Sequence, residues 1–138
     1  MIDANYLKSI LDLAKASSYA GVKTGLLFNT FCPNSEFDDN PDSEEEFHKF
    51  KYHMDEIWRA GLLREYHGTG KHTWGLVGMS GGYSYTDKDL VLTPSGDQLQ
   101  IELSKSNGIE RLVNAIRKVA GIAGEEVLKH AVAEFMKT

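Results

Sequence analysis

Cysteine is almost absent from this chain of 138 residues; Cys32 is the only one. A single thiol cannot close an internal disulfide or complete a zinc ribbon, which excludes a secreted disulfide scaffold. There are only three prolines, which excludes a collagen-like chain. No stretch approaches the run of about 18 apolar residues that a membrane-spanning helix needs. The opening residues, MIDANYLKSILDL, lack the basic start and small-residue cleavage site of a secretory leader, so a cytoplasmic protein is expected. An excess of positive charge is missing too: 15 Lys and Arg face 20 Asp and Glu, for a net charge of −5. A nucleic-acid binder normally carries a basic footprint; here it has to be local, or absent.

What is present is ordinary for a globular chain: 41% apolar and 25% charged residues. A chain of this size buries roughly two thirds of its unfolded surface and needs no metal to hold a core. The acids are unevenly placed. Seven of them lie in residues 36–46, EFDDNPDSEEE, a stretch without a base. The remainder holds 13 acids against 15 bases, a mildly basic body carrying one acidic patch.

Periodicity gives the order of elements. Leu7, Ile10, Leu11, Leu13 and Ala14 make one apolar face over residues 3–17, with Asp3 as N-cap. Residues 22–31 are short and apolar and fit either a helix or a strand; helix is the reading adopted, against Gly25 and the β-branched residues. Residues 32–43 hold two prolines and read as a loop. Ser43 and Glu46 form a capping box before a helix over 44–60, whose buried stripe is Phe47, Phe50, Met54, Ile57 and Trp58, and Gly61 ends it. A β region follows, with strands over 62–66 and 72–77, glycine turns over 67–71 and 78–82, and a third strand within 83–93. Pro94 opens a helix over about 95–105, and two amphipathic helices occupy 109–120 and 122–137.

Two strings, YHMDEIWRAGLLREY and DLVLTPSGDQLQIEL, carry a resemblance. Ala60-Gly61-Leu62-Leu63 followed by Leu92-Thr93-Pro94-Ser95-Gly96 resembles the step from recognition helix to wing, and from wing to the next helix, in winged helix-turn-helix domains. The likeness is to uncharacterised winged-helix proteins of phages and prophages and covers residues 1–105. It implies an intracellular bacterial or phage protein of α+β class, a winged helix with a C-terminal helical extension over 106–138 that packs on the domain or dimerises.

On that reading, residues 44–60 enter the major groove. His48, Lys49, Tyr52 and Arg59 lie opposite the buried stripe, on a face that also shows Glu45 and Glu56, while Arg64 and Lys71 reach phosphates from the wing. The leading expectation is therefore non-enzymatic binding of double-stranded DNA, as a phage or bacterial transcription regulator. The rival is a protein-interaction module on the same scaffold, such as a phage inhibitor of a host defence or transcription protein. It would act through Glu36, Asp38, Asp39 and Asp42, which could mimic phosphate toward a basic partner. A homodimer through the C-terminal helices is a further expectation.

Other motifs fail on chemistry. His48 and His53 are five apart, too far round a helix for a metal pair, and His67 and His72 flank a turn, so no metal or cofactor is expected and surface histidines are the reading. Gly78-Met79-Ser80-Gly81-Gly82 fits the nucleophile-elbow pattern but is followed by strand-forming residues instead of a helix. Gly68-Thr69-Gly70-Lys71 matches the end of a P-loop, yet Glu65 replaces its first glycine and a strand follows. No acid, base or nucleophile finds a partner, so no enzyme is expected.

Overall fold

A computed structural model of the chain describes residues 1–34, 41–67, 73–79, 82–121, 124 and 126–137, with backbone alone at 41–43 and 79. The architecture is α+β. Helix α1 (Ala4–Ala16) is capped by Asp3, whose carboxylate accepts the Tyr6 amide at 3.1 Å. It buries Leu7, Ile10 and Leu11, the face the apolar spacing predicts. The run 22–31 divides. Val22–Lys23 is a short strand, β1, and Thr24–Phe31 is helix α2. β-branched Val22 is buried and pairs with Leu90, while the Thr24 amide donates to Lys88 O, so the chain turns helical only past the sheet.

Helix α3 spans Pro41–Arg59. It starts earlier than the capping-box reading places it. Proline is favoured in the first helical turn because its missing N–H is not needed there. Ser43 therefore sits inside the helix, and the Glu46 carboxylate instead accepts the Asn34 amide at 3.3 Å. The other end behaves as predicted. Gly61 takes φ +69°, its amide donates to Trp58 O, and Leu62 donates to Ile57 O. Those two bonds form a Schellman closure, which needs a left-handed residue at that point.

Four further strands follow: β2 (Leu63–Glu65), β3 (Leu76–Met79), β4 (Gly82–Tyr85) and β5 (Asp89–Leu92). β5 lies between β1 and β2, antiparallel to both, with Leu63 opposite Leu92 and Val22 opposite Leu90. β3 and β4 form a separate hairpin inserted between β2 and β5. The single strand expected within 83–93 is thus two strands in two sheets, and the turn expected over 78–82 gives Gly78, Met79 and Gly82 to the hairpin ladder. Glycine is a turn signal only when the ladder does not claim its backbone.

Helix α4 (Pro94–Leu103) is capped by Thr93, whose hydroxyl accepts the Gly96 amide at 3.0 Å. Here the two resemblance motifs meet. The Thr93 amide donates to Leu62 O at 3.0 Å, the Thr93 hydroxyl donates to Gly61 O, and a Cβ on Gly96 would sit 2.0 Å from Leu62 O. A side chain at 96 cannot fit against that backbone.

Helices α5 (Gly108–Val119) and α6 (Val127–Met136) close the fold. Their Leu112, Ile116, Leu128, Ala131 and Phe135 belong to the same buried cluster as Leu7, Phe50, Met54 and Leu99. Residues 106–138 therefore supply core to the preceding elements. None of the described helices is long and apolar enough to cross a membrane.

Candidate functional site

α3 presents its polar face between α6 on one side and the β3–β4 hairpin on the other. Phe50, Met54 and Ile57 are fully buried, with Phe47 and Trp58 half-buried at the margins of the stripe. Glu44, Glu45, His48, Lys49 and Arg59 are exposed, and Lys51, Tyr52 and Asp55 are partly so. His48, Lys49, Tyr52 and Arg59 thus share the open side, as their spacing predicts.

Two residues of α3 depart from expectation. Glu56, placed on the open face by its spacing, is 1% exposed. α6 covers that side, and Glu56 Oε1 accepts the Leu128 amide at 3.3 Å, where α6 begins. A carboxylate at that position suits the positive end of the helix. His53, read as a surface histidine, is 2% exposed. Its Nε2 accepts the Asp3 amide at 2.9 Å, which leaves Nδ1 to donate to Lys49 O at 2.8 Å. Burial holds its pKa below the ordinary histidine value, against the opposing backbone bond to Lys49.

The electrostatics of the open face are balanced within the chain. Lys49 Nζ lies 3.0 Å from Asp3 Oδ2 and 4.6 Å over the Tyr6 ring. Hydrogen bonds from the Tyr6 amide and Lys49 lower the Asp3 pKa. Lys51 Nζ lies 2.7 Å from Asp55 Oδ2, and Asp55 Oδ1 accepts the indole N–H of buried Trp74 at 2.9 Å. Arg59 reaches Glu56 at 3.4 Å. Every lysine and arginine of α3 is therefore engaged by a carboxylate, and near the start of the helix Glu44 and Glu45 are exposed.

The sheet repeats the pattern. Lys23 and His67 both meet Asp89, at 3.0 and 3.4 Å, and Lys88 faces Glu65 at 3.8 Å. Arg64 is exposed on β2 and donates to Glu65 O at 3.1 Å. Lys71, Glu36, Asp38 and Asp39 lie outside the described residues; Asp42 is in the first turn of α3, with its side chain outside them. Sequence reasoning passed over Asp3 and Asp55 as site residues. The four-residue spacing of Lys51 and Asp55 is a legible signal; the meeting of Asp3 with Lys49 is not.

The hairpin folds onto α2 and α3 through aromatic rings. Tyr85 stacks on Phe28 with centroids 4.7 Å apart, Phe28 lies 6.4 Å from Phe47, and Tyr83 lies 5.4 Å from Phe47. Tyr83 is 55% exposed.

Burial pushes the Cys32 thiol up to about 12, so it stays protonated and unreactive at neutral pH. Among the described residues, no three His, Cys, Asp or Glu side chains gather where they could hold a metal ion. Compared with known proteins, the chain matches no family model, no curated protein and no solved structure.

Proposed function

We propose that this chain is a non-enzymatic interaction module on a winged-helix scaffold, and that it binds the basic surface of a protein partner. The order α1, β1, α2, α3, β2, β5 with β5 central in its sheet supports the scaffold. One observation carries the choice of partner. All three Lys and Arg side chains of α3 are matched to carboxylates of the same chain, and the start of α3 exposes acids. In helix-turn-helix docking, the beginning of that helix is the part that faces the bases. Carboxylates there repel phosphates, while the acids at 36, 38 and 39, just upstream, and at 42, in the first turn, attract a basic surface. A phage-encoded chain of this kind would meet a host transcription or defence protein.

DNA binding is the second reading, favoured by the same strand order and by His48, Lys49, Tyr52 and Arg59 sharing one open face. Surface ion pairs contribute only about 0–1 kcal/mol, so phosphates could recruit those cations.

Fluorescence anisotropy on a mixed-sequence duplex at roughly 50 and 200 mM salt separates the two. The proposal expects no micromolar binding at the lower salt. It also expects one host protein retained by the wild-type chain and lost when Asp38, Asp39 and Asp42 become asparagine. Tight duplex binding that falls steeply with salt, and weakens with a flatter slope in Lys49→Ala, would overturn it in favour of DNA.

A further inference from the structure

The turn that leads from α1 to β1 carries the most exposed large apolar side chain among the described residues: Tyr19 is 99% exposed. The turn beneath it is fixed. The Ser17 hydroxyl donates to Leu13 O at 2.8 Å, and the Gly21 amide donates to Ser18 O at 2.8 Å. Gly21 takes φ +95°, and a Cβ built on it would lie 2.1 Å from Leu90 O, so the turn is seated on the backbone of β5. An aromatic ring held in water on such a turn forgoes the burial that these rings usually gain. Beside it opens a cleft of about 450 Å³. Its apolar lining is Ala14, Val91 and Leu92, its charged lining is Lys15 and Asp97, and Ser18 and Tyr19 line it too. Lys15 Nζ lies 3.0 Å from Asp97 Oδ1, with the two side chains 42% and 49% exposed. Clefts of roughly 300–1,000 Å³ take whole small ligands, so one phenol ring fits.

A projecting ring and a recess on one patch are the two halves of a two-fold interface, because isologous association needs a surface that complements itself. The charges meet the same condition. A ligand of one sign gains little from a lining that holds one cation and one anion. The same lining turned about a two-fold axis sets Lys15 against Asp97 in both directions, and exposed ion pairs are weak enough to exchange partners. From this arrangement we infer that two copies of the chain associate through this face. Each Tyr19 enters the cleft of the other copy, and each Lys15 meets the other copy's Asp97. The inference goes beyond the protein-partner reading and does not depend on it. It also places the pairing away from α5 and α6, whose Leu112, Ile116, Leu128 and Phe135 already belong to the core. Aromatic anchors that fill a pocket supply much of the binding energy of an interface. The cleft lies at the C-terminal end of α1. Asp3 stands at the other end of this 13-residue helix, about 20 Å away, where it meets Lys49. The open face of α3 therefore stays free, and the pair displays two of them.

Sedimentation velocity of the full chain, from about 1 μM to about 1 mM, tests the pairing. The mass should shift reversibly from 15.4 kDa to twice that value as concentration rises. A monomer across the whole range would overturn it. Tyr19→Ser, at a fully exposed position, should leave the melting temperature of the dilute chain unchanged and weaken the dimer by roughly tenfold or more. Ser18→Trp, at an exposed position lining the cleft, fills the recess and should weaken the dimer likewise. The decisive sample mixes these two variants, one of them fluorescently labelled. The Ser18→Trp chain keeps its ring and the Tyr19→Ser chain keeps its cleft. The mixed pair thus regains one of the two contacts and should form more tightly than either variant with itself. A mixture no tighter than its components would sink the ring-in-cleft geometry. Dimerisation unchanged in both variants would overturn this face, and its loss in Met136→Lys, at an exposed position on α6, would move the interface to the C-terminal helices.

Discussion

His53 shows how one buried ring ties two distant segments. Its Nε2 holds the Asp3 amide and its Nδ1–H holds Lys49 O, so a second ring proton has no acceptor and displaces the start of α1. Burial lowers its folded pKa below the ordinary 6.5. The unfolded chain therefore binds a proton that the folded chain refuses, and stability falls as pH drops below about 6.5. The slope approaches about 1.4 kcal/mol per pH unit until the folded pKa is reached. Urea unfolding at pH 7.5 and 5.5 should show this loss in the wild-type chain and much less of it in His53→Gln, where the titrating ring is gone. Equal losses in both would assign the acid sensitivity to other groups. Asp3 does not blur the window, because its lowered carboxylate pKa acts only near and below 3.8.

At the scale of elements, two glycines illustrate different physical demands. Gly61 ends α3 at φ +69° with nothing within 4 Å of a built Cβ, so Gly61→Ala meets only the left-handed backbone penalty, about 1–2 kcal/mol. Gly96 has no positive φ, but its Cβ would press on Leu62 O at 2.0 Å, so Gly96→Ala must separate α4 from β2. Chemical denaturation should rank Gly96→Ala as the more damaging change, at about 3 kcal/mol or more. The reverse order would mean that α4 moves freely against β2. The same junction explains why the two strings of the resemblance belong together: the Thr93 amide and hydroxyl occupy the carbonyls that the end of α3 leaves behind. Both strings are readable in sequence. Their contact, 32 residues apart at Thr93 and Gly61, is not.

For the whole molecule, the C-terminal helices decide how much of the chain folds as one unit. Phe135 of α6 is fully buried, with the Arg111 guanidinium 4.5 Å from its ring centroid. Leu128 beside it is held to α3 through Glu56. Phe135→Ala should therefore cost about 3–5 kcal/mol and lower a single cooperative melting transition. A drop confined to a separate, minor transition would instead mark α5 and α6 as an appendage. The balance of charge also belongs to this scale. A net charge of −5 says nothing of where cations sit, and only the fold brings Asp3 to Lys49 and Glu56 into the space between α3 and α6.

Local pattern was enough to determine α1, the buried stripe and the glycine stop of α3, the proline start of α4 and the amphipathic face of α5; of α6 it found Leu128 and Phe135, but the helix starts at Val127 and Met136 is exposed. Each depends on side chains within a turn or two of one another. Tertiary structure decided the rest. Val22 and Lys23 join a sheet because β5 is there to pair with them, and the region 83–93 divides because its halves have different partners. Glu56 stands at a position that spacing assigns to water and His53 was expected at the surface, and both are buried because α6 and the start of α1 cover them and supply hydrogen-bond partners. Burial is a property of what packs on a residue from elsewhere in the chain, and the surface left open on α3 was settled by that packing.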